Sequence, residues 1–148
     1  MTTSFQRPPP LVLLLVDDSE ADVILTWEAL REARAYCQLH VVNDGLQALE
    51  FLHRGSDYRD VPRPDALLLD VHLPCKDGLE VLQDIKADPD LRDLPVFLLL
   101  GSPWEEKHLR AQRAEASGYL VKPLEVLTLE TALYQAVGLR LHHSLTPA

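Results

Sequence analysis

The sequence contains little cysteine, few basic residues and no long apolar run. Its two cysteines, Cys37 and Cys75, are too few and too scattered for a disulfide framework or a zinc site, which favours reduced thiols in a cytoplasmic protein. Lysine and arginine together number 14 against 23 acidic residues, and the net charge of −9 argues against nucleic-acid binding. No apolar run approaches the roughly 20 residues of a membrane helix, so we expect no membrane segment.

The sequence does contain a regular alternation of short apolar runs and longer helical patterns. Continuous apolar runs are typical of strands buried on both faces of a parallel sheet, and a more polar run indicates an edge strand. The predicted strands are LVLLLV (11–16), QLHVVN (38–43), DALLLD (65–70), LPVFLLL (94–100) and GYLV (118–121). Right-handed crossovers then predict an α/β fold, a doubly wound, flavodoxin-like sheet of five parallel strands in the order 2-1-3-4-5.

The chain length suits a single domain. At 148 residues it can bury a core of its own. We expect that domain at 11–142, after a flexible N-terminal arm at 1–10 and before a C-terminal tail at 143–148. The arm, MTTSFQRPPP, has no hydrophobic signal core.

Two helix boundaries and one helical face are also predicted. Ser19 is the expected N-cap of the first helix, and Gly55 is the expected stop of the second. Four apolar residues of the first helix recur at amphipathic spacing: Val23, Ile24, Trp27 and Leu30.

Charged side chains lie at the ends of three predicted strands. Asp17 and Asp18 follow the first strand, Asp70 ends the third, and Lys122 follows the fifth. Because parallel strands present their carboxyl ends at one ligand-binding edge, we expect these groups to converge. Clustered carboxylates repel one another unless a cation lies among them, and oxygen ligands suit Mg²⁺. Helix capping could explain one aspartate of the adjacent pair, but it does not explain the whole set.

With these residues in place, the sequence resembles the receiver domain of two-component response regulators. The matching segments are VDDS (16–19), LLLDVHLPCKDG (67–78) and GYLVKP (118–123), and the resemblance extends from residue 11 to about residue 138. YRDVPRPDALLLD (58–70) and IKADPDLRDLPV (85–96) further resemble the small single-domain regulators that pair with phytochrome-type histidine kinases.

The resemblance implies a role for each matching residue. Asp70 would accept a phosphoryl group from a sensor histidine kinase and become an aspartyl phosphate. Asp18 and Asp70 would bind Mg²⁺ directly, Asp17 would act largely through water, and the backbone carbonyl of His72 would complete the protein ligands. Lys122 would pair with the phosphoryl oxygens and would be followed by a cis proline. The chain would then be a phospho-accepting signalling protein and not an enzyme in the usual sense.

The end of the fourth strand departs from the family. There Leu100 replaces a threonine or serine whose hydroxyl bonds a phosphoryl oxygen, a bond worth roughly 1.5–3 kcal/mol. Ser102 either compensates, through a bend at Gly101, or caps the following helix. The Gly101 N–H is still expected to reach the phosphate. Tyr119 matches the family's switch aromatic, although it could also be an ordinary half-buried tyrosine, and we expect its coupling to the phosphate to be weakened or rewired.

The last helix carries apolar residues on two sides. One stripe suits the sheet: Val126, Leu129, Leu133 and Val137. Residues off this stripe are Leu127, Tyr134 and Leu141, with Leu145 beyond the helix end. We expect this second side, together with the fourth helix and the fifth strand, to form the contact between two copies in a homodimer. The alternative is a monomer in which the last helix is buried more deeply.

The sequence allows three functional interpretations. The first is a single-domain regulator in a phosphorelay, in which output depends on partner contacts because only SLTPA follows the last helix. The second is a degenerate receiver that acts as a binding module without phosphate, as Leu100 would permit. The third is a haloacid-dehalogenase-type phosphatase, which the sequence disfavours because that family has Asp-x-Asp and His72 stands at the second position.

Overall fold

Strands and helices alternate strictly in a computed structural model that describes residues 9–112 and 115–137. The expected C-terminal tail, the first eight residues of the expected arm and the last residues of the expected domain lie outside these ranges. The elements in chain order are β1 (Leu11–Val16), α1 (Glu20–Glu32), β2 (Cys37–Val42), α2 (Gly45–His53), a 3₁₀ turn (Ser56–Tyr58), β3 (Ala66–Asp70), α3 (Gly78–Ala87), β4 (Val96–Leu100), α4 (Pro103–Ala111), β5 (Gly118–Val121) and α5 (Val126–Val137).

The five strands form one parallel sheet in the order β2-β1-β3-β4-β5, as the sequence predicts. Alternate strand residues point to opposite faces and build two separate cores. One core packs the sheet against α2, α3 and α4, and it includes Val16, Leu69, Leu100, Phe51 and Ile85. The other packs the sheet against α1 and α5, and it includes Leu15, Leu68, Leu99, Leu30 and Leu133. Because β3 is buried along its whole length, Asp70 at its end is fixed by packing on both sides.

Helix α1 begins where predicted, whereas α2 ends differently. The Asp22 N–H donates to Ser19 Oγ at 3.3 Å, which confirms Ser19 as the N-cap. At the end of α2 the left-handed residue is Arg54, with φ of 56°, and not the predicted Gly55. The Gly55 N–H instead donates to the Glu50 carbonyl at 2.9 Å. Gly55 has a φ of −88°, so the tolerance of glycine for positive φ is not used there.

The face that α1 buries was only partly predicted. Leu30 is buried, but Ile24 and Trp27 are 51% and 46% exposed. The helix packs through Thr26, Ala29 and Leu30. Apolar residues surround this helix on several sides, so spacing alone does not select the face, and small residues allow the closer approach to the sheet.

Helix α5 has two apolar sides within the described residues. Leu129 and Leu133 are buried against the sheet, as predicted, while Leu127 and Tyr134 are 73% and 65% exposed. The side chain of Val137, together with Leu141 and Leu145, lies outside the described residues. Among the helices of ranges 9–112 and 115–137, none is both long and apolar enough to cross a membrane.

Candidate functional site

Lys122 is the centre of an acidic cluster at the carboxyl edge of the sheet. Its Nζ donates to Asp17 Oδ2 at 2.7 Å, to Asp70 Oδ2 at 2.8 Å and to Asp22 Oδ2 at 3.0 Å. Three hydrogen bonds use all three N–H groups of the ammonium. The Lys122 backbone is held in turn, because its N–H donates to the Leu100 carbonyl at 2.8 Å. The peptide bond from Lys122 to Pro123 is cis, in agreement with the resemblance.

Loop N–H groups fix the two buried aspartates of this cluster. The Ser19 N–H donates to Asp17 Oδ1 at 2.9 Å, and the His72 N–H donates to Asp70 Oδ1 at 3.0 Å. In each aspartate the other oxygen accepts from Lys122. Both carboxylates are therefore held at both oxygens, and neither can rotate without losing a charge-assisted bond.

Asp17, Asp18 and Asp70 together form a group able to hold a metal ion. One carboxylate oxygen from each lies within 4.8 Å of the other two. Asp17 and Asp70 are buried, whereas Asp18 is exposed, so the group opens to solvent on the Asp18 side. Beside it is a cleft of about 400 Å³. The cleft is lined by Asp18, Val71, His72, Leu73, Pro74, Asp77 and Leu79.

Burial raises the pKa of Asp70, although hydrogen bonds from Lys122 and the His72 N–H act in the opposite direction. Burial lowers the pKa of Lys122, but the hydrogen bonds to Asp17, Asp70 and Asp22 outweigh it and the pKa rises. Lysine therefore stays charged at neutral pH. Lys122 contacts three carboxylates, and Asp18 brings a fourth to the group, so the site keeps negative charge that a cation would neutralise.

Asp22 is a site residue that the sequence did not reveal. Its position in the first turn of α1 suggested only a helix-capping role. Its carboxylate nevertheless reaches Lys122, which lies 100 residues further along the chain. Only the tertiary packing, in which α1 lies against α5, could have identified this contact.

The β4–α4 loop differs from expectation at Ser102. Leu100 is fully buried in the core, as a strand residue with no polar group would be. Ser102 occupies the N-cap position of α4, but its side chain makes no capping hydrogen bond. The Gly101 N–H instead donates to Glu105 Oε1 at 2.7 Å. Ser102 therefore does not cap α4, and Glu105 binds the N–H that we expect to reach a phosphoryl oxygen.

The same Glu105 carboxylate also binds the loop after β3. Its Oε2 lies 2.5 Å from His72 Nε2. The His72 imidazole is largely exposed and points to Glu105, away from the three clustered aspartates. Burial raises the pKa of Glu105, but the bonds from Gly101 and His72 outweigh it, and the pKa lies below the ordinary range. No sequence pattern indicates that Glu105 belongs to this site.

Tyr119 lies half-buried in β5. Its ring packs against the core on the α4 side of the sheet. The Arg110 guanidinium of α4 lies 4.5 Å from the ring centroid, a cation–π contact. This position fits a switch aromatic and also an ordinary half-buried tyrosine, so the role of Tyr119 stays a prediction.

Comparison with known proteins agrees with this geometry. The response regulator receiver domain family matches residues 13–134. Response regulator Rcp1 of Synechocystis sp. is 42% identical over 119 residues, which cover 80% of this chain and 81% of that protein. The bacteriophytochrome response regulator AtBRR has a similar structure, with a TM-score of 0.82 and 35% identity over 90% of this chain and 96% of AtBRR. The Mn²⁺-bound form of Rcp1 gives a TM-score of 0.72 and 35% identity over 94% of this chain and 100% of that one.

Proposed function

The chain belongs to the response regulator receiver domain family, and on that premise we propose that Asp70 accepts a phosphoryl group from a sensor histidine kinase. The observation that carries this proposal is the doubly held Asp70 carboxylate, which lies at the open edge of the sheet with Lys122 already at 2.8 Å. Aspartate is a weak nucleophile in water, so orientation and neighbouring charge are what make the reaction possible.

The reaction joins an Asp70 oxygen to the phosphorus of a phosphohistidine. As the new P–O bond forms, the P–N bond breaks, and its electron pair stays on the imidazole nitrogen of the kinase, which takes up a proton. Lys122 stabilises the negative charge on the phosphoryl oxygens, and the Gly101 N–H would bind one of them. Catalysis of this kind is positioning and charge stabilisation, so the chain would also use small phosphodonors and hydrolyse its own aspartyl phosphate.

Mg²⁺ fits the group formed by Asp17, Asp18 and Asp70, since all three offer carboxylate oxygens within 4.8 Å of one another. The backbone carbonyl of His72 would be a further ligand. When bound, the ion would supply positive charge between the carboxylates and the incoming phosphoryl group. The Mn²⁺-bound form of Rcp1 supports a divalent ion in a related protein.

We propose a phytochrome-type histidine kinase as the partner. The support is similarity to AtBRR, a bacteriophytochrome response regulator, at 35% identity over 90% of this chain. Purified kinases test the assignment, because a cognate kinase transfers phosphate much faster than kinases of other classes. Transfer from a phytochrome-type kinase no faster than from an unrelated one would contradict it. We also propose a cytoplasmic location, which the two free thiols favour.

A homodimer through α4, β5 and α5 is proposed as well. On α5, Leu127 and Tyr134 present apolar surface to solvent, and β5 is an edge strand of the sheet. Trp104 of α4 is 80% exposed. Apolar groups of this size on adjacent elements favour an isologous contact between two copies.

Labelling with radioactive acetyl phosphate tests the acceptor role directly. We expect wild type to be labelled in the presence of Mg²⁺ and unlabelled in the presence of EDTA, and Asp70→Asn to stay unlabelled. Asp77→Asn is a matched control, because Asp77 caps α3 in the same loop and lies outside the cluster. Equal labelling of Asp70→Asn and wild type would overturn the proposal. Absent labelling in all proteins would favour the degenerate receiver that binds without phosphate.

A further inference from the structure

The carboxylate of Glu105 connects the two loops that flank Asp70. Its Oε1 accepts from the Gly101 N–H at 2.7 Å, and its Oε2 lies 2.5 Å from His72 Nε2. Gly101 directly follows β4, and His72 lies two residues beyond Asp70. An anion that belongs to the protein therefore holds donors from both loops.

The Gly101 N–H is the donor that the proposed function assigns to a phosphoryl oxygen. A backbone N–H has one hydrogen and makes one well-aligned bond. A phosphoryl group on Asp70 and the carboxylate of Glu105 would also repel each other as like charges. The Gly101 N–H cannot donate a well-aligned hydrogen bond to both anions at once, so one anion has to displace the other.

We propose that Glu105 is a positioning residue that occupies the Gly101 N–H before phosphorylation and releases it afterwards. This inference rests on the proposed function. The release transmits the phosphorylation state to α4, since Glu105 is the third residue of that helix. The route requires no hydroxyl at the end of β4, where the chain has the buried Leu100.

Contacts of α4 extend this route to the fifth strand. Arg110 of the same helix lies 4.5 Å from the centroid of the Tyr119 ring. A movement of α4 that follows the release of Glu105 would therefore reach Tyr119 through Arg110. In this way the tyrosine can respond to phosphate although Leu100 cannot donate a hydrogen bond.

A purely structural role of Glu105 makes a different prediction. A glutamate at the third helical position commonly accepts a backbone N–H at the helix start and stabilises the helix. If that were its whole role, substitution would lower stability and leave the affinity for a phosphoryl mimic unchanged. The affinity measurement therefore separates the two roles.

Trp104 provides the readout. It precedes Glu105 and is 80% exposed, and Trp27 is the other tryptophan of the chain. In a Trp27→Phe background, fluorescence thus reports on the first turn of α4. Beryllofluoride, which mimics a phosphoryl group on a carboxylate, is titrated at saturating Mg²⁺. The proteins compared are the parent, Glu105→Ala, Glu105→Gln and the control Glu106→Ala, whose native residue pairs with Arg110 on the same helix.

Glu105→Ala is expected to lower the half-saturating beryllofluoride concentration about threefold to tenfold and to reduce the Trp104 response. Glu105→Gln, which keeps the shape and loses the charge, should shift in the same direction by less. Glu106→Ala should match the parent. Equal affinity and equal response in Glu105→Ala and Glu106→Ala would overturn the inference. Acetyl phosphate labelling of Asp70 in the same proteins would then show whether the proposed function still stands.

Discussion

The Lys122 ammonium lies 2.8 Å from the Asp70 carboxylate, although their strands are not neighbours. Between β3 and β5 lies β4, so the lysine side chain extends across the end of the intervening strand. This contact joins the last strand to Asp70, and the same ammonium reaches Asp17 after β1 at 2.7 Å. The positive charge that the proposed phosphoryl group would need is thus already in place.

Removing the lysine should destabilise the metal-free protein. In Lys122→Met the buried Asp17 and Asp70 lose a hydrogen-bond donor and their counter-charge, and we expect the free energy of unfolding to fall by about 1–3 kcal/mol. Urea denaturation measures the change, and added Mg²⁺ should restore part of it. Lys76→Met, which removes an ion pair to Asp84 outside the cluster, is the control and should have a much smaller effect. Equal effects of the two substitutions would contradict the central position of Lys122.

The negative charge of Asp70 should lower the free energy of unfolding of the metal-free protein. Burial raises the pKa of Asp70 in the folded state above the ordinary value of 3.8. The folded protein therefore binds this proton more tightly than the unfolded chain, and stability is lost as pH rises through the folded pKa. We expect Asp70→Asn to denature at higher urea than wild type at neutral pH. The difference should shrink towards pH 3.8 and on addition of Mg²⁺. A less stable Asp70→Asn at neutral pH would contradict this prediction.

Restoring a hydroxyl at the end of β4 should prolong the phosphorylated state. Leu100→Thr supplies a donor to the phosphoryl oxygen but also leaves space in the core, since Leu100 is fully buried. Valine has nearly the same shape as threonine but no hydroxyl, so Leu100→Val is the matched control. We expect the aspartyl phosphate of the threonine variant to last up to about tenfold longer than that of the valine variant. Equal lifetimes of the two variants would show that a hydroxyl at position 100 does not stabilise the aspartyl phosphate.

The exposed side of α1 should contribute to kinase docking. Leu25 lies three residues after Asp22, on the same side of the helix, and is 45% exposed. A kinase that delivers phosphate to Asp70 would approach over this end of the helix. Leu25→Glu should slow transfer from the cognate kinase about tenfold or more, because it would bury a charge. Labelling by acetyl phosphate, which needs no docking, should be unchanged, and a parallel loss in both assays would contradict docking.

The oligomeric state depends on the exposed side of α5. Tyr134 is 65% exposed, and a glutamate there would place a charge in an apolar contact. Light scattering should find wild type as a dimer at high concentration and Tyr134→Glu as a monomer. A wild type that is monomeric at high concentration would contradict the proposed homodimer.

The sheet and its acidic edge could be predicted because they depend on simple patterns. Continuous apolar runs identify buried parallel strands, and the groups that follow them must meet at one edge. Asp17, Asp70 and Lys122 come together for this reason. Contacts made by helix side chains could not be predicted in the same way. Asp22 and Glu105 lie in first turns, where a carboxylate is already favourable as a helix cap, and the tertiary contact depends on how the helix packs.

Chemical trapping of the phosphorylated residue tests whether Asp70 is the phosphoryl acceptor. After reaction with acetyl phosphate and Mg²⁺, borohydride reduces an aspartyl phosphate to homoserine, and mass spectrometry of peptides identifies the position. We expect homoserine at position 70 in wild type and at no position in Asp70→Asn. Homoserine at Asp17 or Asp18, or at no position in a wild type that carries the label, would contradict it.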